Sequence, residues 1–403
     1  MRLVVLIPDG AADRPVEKLS GRTPLEAAAT PSMDALAHGG ELGLATFTPS
    51  RKPPGSDVAA MSLLGYDPMK FHTGRAPLEA VSMGVELGAR EVAFRANLVT
   101  LAGDVLTDYS AGHIRTDQAR ALVGSLDEAL GARFGVRFGG GVSYRHLMVM
   151  PDLSCLKART TPPHDITGRP YAKYLPRGRG GRQLREIMSA AGRVLAAHDV
   201  NRVRVDLGEN PASALWLWGQ GTRTSMPSFR ERYGRSGAMI SAVDLLRSLG
   251  LLLGFEIVDV PGATGNTDTN YVGKGLAAVD AANRADVVVV HVEAPDEAAH
   301  GGGLLEKIKC IEAVERHVVA PVLDFARAAG DVRVLLAPDH PTPVELRTHE
   351  HGAVPFALWG PGVEPNGGAC FGERAAEAAG LAFRRGHTLM PHALGLDATG
   401  AGA

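Results

Sequence analysis

The chain is poor in cysteine: three in 403 residues, Cys155, Cys310 and Cys370, scattered and odd in number. That excludes a disulfide framework and a CxxC zinc site, and it fits a reducing cytosol. Excess charge is missing as well. A formal net charge of −2 leaves no basic footprint for nucleic acid, and no Lys/Arg-rich tract suits an anionic membrane. No apolar run approaches the roughly 20 residues of a membrane span. The N-terminal run "LVVLI" (3–7) is too short for a signal-peptide core and passes straight into the turn "PDG". No P-loop GxxxxGK[ST] is found to cradle a nucleotide. The expectation is a soluble protein of the cytoplasm with no nucleic-acid or membrane partner.

What remains is an ordinary globular composition, 45% apolar and 21% charged, in a chain long for one core. Two domains, or one with a large insertion, are expected. Short apolar runs recur and end in turns: "RLVVLIPDG" at the start, "ELGLATF" (41–47), "LGFEIVDVPG" (253–262), "DVVVVHVEAPD" (286–296), "DVRVLLAPDH" (331–340) and "VPFALWGPG" (354–362). Helical spacing lies between them, as in residues 307–330. Strands alternating with helices predict an α/β fold with a mostly parallel sheet flanked by helices. In such sheets ligands gather beyond the carboxyl ends of the strands.

From about 92 to 235 the chain is rich in Gly, Arg and turn signals. This reads as an inserted, smaller α+β domain, leaving 1–91 and 236–403 as the core domain. The tail "LDATGAGA" (396–403) reads as frayed.

Three apolar runs end in residues that bind metals. Asp9 closes the first, in "IPDG", where a plain turn aspartate is the simpler reading. In "VEAPDEAAH" Asp296 and His300 stand four apart at a helix start, so both project from one face. Asp339 and His340 end another run. As neighbours in an extended segment they point to opposite faces unless the chain turns, and Pro341 and Pro343 favour a turn. Carboxylates and imidazoles together suit Mn, Zn or Mg, and their number exceeds one tetrahedral site. Two histidines follow, His349 and His351, and spacing alone does not choose between them.

"KPPGSDVAAMSLLGYDP" (52–68) puts Ser56 immediately before a helical pattern. A serine there is ordinarily an N-cap. Beside a divalent ion it is instead a nucleophile, and the phosphoryl group it accepts meets the positive end of the helix. Asp57 suits the first turn in either case.

Taken with "GRTPLEAAATPSMDALA", "TGRAPLEAVSMGVEL", "DYSAGHI", "GVSYRHL", "PGATGNTDTNY" and "LAPDHPTPVELRTH", these stretches resemble one family along nearly the whole chain. It is the archaeal-type branch of cofactor-independent phosphoglycerate mutases, within the alkaline phosphatase superfamily, including bacterial members labelled "proposed homoserine kinase". The resemblance implies an alkaline-phosphatase-like core and two divalent ions, Mn²⁺ first, with Mg²⁺, Zn²⁺ or Co²⁺ as alternatives. One ion would be held by Asp9, Ser56, Asp339 and His340, the other by Asp296, His300 and a histidine of the "RTH" segment. Counting back five residues from Val354 gives His349, with His351 a bystander. Ser56 would carry a phosphoserine intermediate, with the inserted domain closing to exclude water.

Substrate contacts implied by the resemblance are His164 and Asp165 in "TPPHD", Arg223 after "WGQGT" and Arg115 after "SAGHI". A planar guanidinium suits carboxylate or phosphate, and the family has Lys where Thr222 and Arg223 stand here. The expected reaction interconverts 2- and 3-phosphoglycerate, small phosphorylated metabolites. Competing readings are a homoserine kinase-like phosphotransferase, a phosphomonoester hydrolase, and a binding module with structural metals. The oligomeric state is not legible.

Overall fold

The computed structural model describes residues 1–396, so the tail expected to fray lies, from Asp397 on, outside the described residues. The chain divides into two compact units, Met1–His72 with the segment from Met226 onward, and Thr73–Ser225.

The first unit is built on an eight-stranded sheet. Its strands are β1 (Arg2–Pro8), β2 (Glu41–Ala45), β3 (Gly237–Ile240), β4 (Glu256–Ile257), β5 (Val287–Val292), β6 (Val332–Leu336), β7 (Val354–Trp359) and β8 (Leu381–Phe383). They lie in the order β4-β3-β5-β1-β6-β7-β2-β8. Residues of β5, "VVVVHV", are buried without exception, as a β-branched run covered on both faces must be. β1 lies between β5 and β6, pairing Pro8 with Val292 and Leu6 with Leu336. The three carboxyl ends therefore open on one edge, with Asp9, Glu293 and the segment after Leu336 side by side.

One strand departs from the parallel pattern. β7 pairs antiparallel with both β6 and β2, while the other pairings of this sheet are parallel. The cause is the connection. Residues 337–353 contain no helix to carry the chain back across the sheet, so it re-enters from the end it left. That helix-free excursion carries Asp339, His340 and His349.

The second unit has a six-stranded sheet whose pairings are all antiparallel, centred on Val92–Ala102. Its core gathers Phe94, Leu98 and Trp216 with Leu122 and Leu126 of the helix Thr116–Phe134 and Leu184 and Ile187 of the helix Gly181–Ala197. The limits differ from the expected 92 and 235. The helix Arg75–Ser82 belongs to this unit, because Ala76 and Ala80 bury against Ala93, Leu147 and Val149. Glu79 on the same helix pairs with buried Arg95 at 2.8 Å. Residues 226–235 belong to the first unit, where Phe229 meets Phe255 and Tyr233 meets Tyr66.

Candidate metal centre

Asp9 leaves β1 into a turn at Gly10 and is fully buried. Asp339 and His340 follow β6 and are equally buried. Asp339 Oδ1 accepts from the backbone N–H of Gly10 at 3.2 Å and of His340 at 2.9 Å, which fixes its carboxylate plane. The turn predicted there brings Asp339 and His340 to one point: Asp339 Oδ2 and Asp9 Oδ1 each lie 3.4 Å from His340 Nε2.

Ser56 is the first residue of the helix Ser56–Leu63, and Gly55 takes the cap position. Its hydroxyl therefore caps no backbone group. Ser56 Oγ lies 3.3 Å from Asp9 Oδ2 and 3.2 Å from His340 Nε2. Asp57 turns the other way and meets His72 Nε2 at 2.9 Å.

Asp296 and His300 occupy the helix Ala294–His300, which starts two residues beyond β5 with Pro295 in its first turn. His300 Nε2 lies 3.1 Å from Asp296 Oδ2, and His349 Nε2 lies 3.5 Å from the same oxygen. The two imidazole Nε2 atoms face each other at 3.0 Å. His300 Nδ1 sits 3.0 Å from the carbonyl of Arg347; a carbonyl only accepts, so Nδ1 carries a proton, and Nε2 becomes the lone-pair atom once its own proton leaves. His351 points elsewhere, with Nδ1 3.3 Å from the carbonyl of Thr48.

Electrostatics favour a cation here. Burial, with Asp339 and Asp296 nearby, holds the Asp9 carboxyl well above its ordinary range. Burial also pushes Asp296 upward, but contacts from His300 and His349 outweigh it and hold that group well below. His300 is pushed down by burial and up by Asp296, ending at about 9. Asp9 Oδ1 and Asp339 Oδ2 are buried with no hydrogen-bond donor. Buried carboxylate oxygens in that condition are costly, and a metal ion satisfies them. The donor atoms form compact sets, Asp9–Asp339–His340 and Asp296–His300–His349, each fitting one divalent ion of the Mn, Zn or Mg class.

The sequence did not point to several neighbours of these sets. His291, from the valine run of β5, places Nε2 2.9 Å from Asp9 Oδ2 and Nδ1 3.2 Å from Ser241 Oγ. Burial pushes it down to about 4, so it stands neutral beside Asp9. With Glu293 it offers a further group of ligand atoms around Asp9. A lone histidine in an otherwise unbroken valine strand was the available signal. Lys307 is fully buried and satisfied by Asp13 Oδ2 at 2.8 Å and the carbonyls of Thr342 at 2.9 Å and Ala12 at 3.2 Å. It ties the loop after β1 to the loop after β6.

The expected substrate residues all lie in the second unit. His164 and Asp165 are exposed, 3.7 Å apart, and the His164 ring meets Trp218 edge-on. Arg115 is exposed and its guanidinium is engaged by Asp117 at 2.6 Å. Arg223 is exposed and lines a depression with Glu86, Glu91 and Arg137.

Residues 37–201 match the family model described as 2,3-bisphosphoglycerate-independent phosphoglycerate mutase. A curated protein of that name from Methanothrix thermoacetophila is 48% identical over 391 residues, covering 97% of this chain and 98% of its own. Among solved structures, a Pyrococcus horikoshii protein aligns with TM-score 0.80 and 30% identity, covering 99% of this chain and 97% of its own. The cofactor-independent phosphoglycerate mutase from Thermoplasma acidophilum aligns with TM-score 0.65 and 28% identity, covering 98% of each chain.

Proposed function

The chain belongs to the 2,3-bisphosphoglycerate-independent phosphoglycerate mutase family, and from that premise we propose that it interconverts 2- and 3-phosphoglycerate through a phosphoserine at Ser56. Two divalent ions, Mn²⁺ first, would be held by Asp9, Ser56, Asp339 and His340 and by Asp296, His300 and His349. When bound, such ions supply positive charge that stabilises a serine alkoxide and the oxygens of a transferring phosphoryl group.

The chain's own residues define the rest. Ser56 Oγ attacks phosphorus, the Oγ–P bond forms, and the bond from phosphorus to the glycerate oxygen breaks. Asp9 Oδ2, 3.3 Å away, is placed to take the hydroxyl proton. The freed alcohol is protonated, the glycerate turns, and its other hydroxyl attacks the phosphoserine, returning Oγ to its starting state. The helix beginning at Ser56 directs its positive end at the group transferred. Substrate contacts fall to His164, Asp165, Arg223 and Arg115 of the second unit, with carboxylate and phosphate left to the arginines. Arg223 ranks ahead of Arg115, whose fork is engaged by Asp117.

Among the described residues no helix is long and apolar enough to cross a membrane. The cysteines are free and two of them are buried, in keeping with a cytoplasmic site of action.

The observation that carries the proposal is the aim of Ser56 Oγ into a buried carboxylate–imidazole cluster rather than at its own helix. Purified protein with Mn²⁺ and 3-phosphoglycerate should yield 2-phosphoglycerate, read by coupling to enolase. Ser56→Ala should lower the rate at least about 10³-fold, the scale of a lost nucleophile. Release of free phosphate without 2-phosphoglycerate would replace the mutase reading by hydrolysis. Phosphorylation of homoserine from ATP would replace it by a kinase, and a fully active Ser56→Ala would reject the phosphoserine route.

A further inference from the structure

Thr342 sits between the two sets of donor atoms and ligates in neither. Its side chain is completely buried. Thr342 Oγ1 lies 2.6 Å from Asp296 Oδ1 and 3.1 Å from His340 Nδ1. A hydroxyl has one proton to give. The contact to the Asp296 carboxylate is the shorter of the two and of the charge-assisted kind, and the other oxygen of that carboxylate faces His300 Nε2 and His349 Nε2. The Thr342 proton therefore goes to Asp296. Thr342 Oγ1 is then left as an acceptor toward His340, so His340 must donate from Nδ1. A neutral imidazole protonated at Nδ1 carries its lone pair on Nε2, the atom that faces Ser56 Oγ, Asp9 Oδ1 and Asp339 Oδ2.

The backbone that carries this hydroxyl is anchored as well. The backbone N–H of Thr342 donates to the Ala12 carbonyl at 3.1 Å, and its own carbonyl accepts from buried Lys307. Gly10 closes the remaining space. A methyl group there would lie 2.4 Å from Asp296 Oδ1 and 2.7 Å from Thr342 Oγ1, and Gly10 has a φ of +61°.

We infer that Thr342 is a positioning residue coupling the two ion sites: one hydroxyl orients the carboxylate ligand of one ion and sets the tautomer of the imidazole ligand of the other. The inference rests on the proposed two-ion reading and adds that neither ion is bound independently of this side chain. Its signature is that one uncharged substitution, outside both ligand sets, weakens both sites together.

The test uses the full metal-free chain titrated with Mn²⁺ by calorimetry, comparing wild type, Thr342→Val and Thr342→Ser. Valine keeps the shape and removes the hydroxyl, while serine keeps the hydroxyl. Thr342→Val should weaken each of the two Mn²⁺ affinities by about 10–100-fold, the usual cost of losing an outer-shell partner. Thr342→Ser should stay within about threefold of wild type. A second measurement needs no variant: long-range ¹H–¹⁵N spectra of the metal-free wild type should place the His340 proton on Nδ1. A proton on Nε2 overturns the inference. So does a valine variant in which one ion, or neither, is weakened, or a serine variant as impaired as valine. Enzymatic activity is not the readout. If the wild type makes no 2-phosphoglycerate, the mutase proposal fails while the titration still decides the role of Thr342.

Discussion

Raising the pH should weaken the metal-free protein and leave the metal-loaded protein almost unchanged. In the metal-free chain His300 is held at about 9 by Asp296, against an ordinary value of 6.5. A pKa raised on folding stabilises the folded state fully below the unfolded value, and that contribution disappears as pH climbs through the folded one. Asp9, raised by burial and by its carboxylate neighbours, has the same sign, in a window that opens at the ordinary carboxylate range. Metal-free protein should therefore lose thermal stability between pH 7.5 and 9.

Ion binding at Asp296, His300 and His349 needs the His300 lone pair, so the proton must leave first. With a value of about 9, roughly one His300 in thirty is deprotonated at pH 7.5 and about half at pH 9, so affinity there should rise about 15-fold. Calorimetric titration with Mn²⁺ under argon reads this directly. Repeating it in buffers of different ionisation heat should show about one proton released per ion at that site near pH 7.5. Thermal scans at saturating Mn²⁺ should show stability nearly flat over the window where the metal-free protein loses it, because the gain in affinity offsets that loss. An affinity flat from pH 7.5 to 9, or the same trend with and without metal, would refute the assignment of His300 as a charged group displaced by the ion.

Replacing His349 by Ala should leave one Mn²⁺ per chain by elemental analysis, while His351→Ala, whose ring meets only a loop carbonyl in its hydrogen bonding, should leave two. Lys307→Met removes one partner of a fully buried ion pair and strands Asp13, so unfolding in urea should show a loss of about 3–5 kcal/mol. Gly10→Ala forces a methyl group within 2.4 Å of Asp296 Oδ1 at a left-handed backbone position. It should lower Mn²⁺ occupancy even where circular dichroism reports an unchanged fold.

The sheet was legible because its strands are dense apolar runs ending in turns, and the residues just past three of those ends, Asp9, Asp296 and Asp339, announce themselves by position. Asp296 and His300 were legible as a pair because four residues make one helical turn. His349 was not, since nothing local separates it from His351; the resemblance supplied the choice. Partners far apart in sequence stayed hidden. Thr342 meets a carboxylate 46 positions away and Lys307 one 294 away. The domain limit at residue 92 misplaced Arg75–Ser82 because an alanine face looks the same whichever sheet receives it; Glu79 settles the matter through Arg95, a partner no local pattern announces. The reversal of β7 follows from the missing crossover, a feature of connection length and composition rather than of the strand itself.

That reversal has an evolutionary corollary. Since residues 337–353 leave and rejoin the sheet at the same end, Asp339, His340, Thr342 and His349 travel on one short tether with both ends anchored. Inserting or deleting a residue inside it would displace donors of both ions at once. Substitution at constant length avoids that displacement.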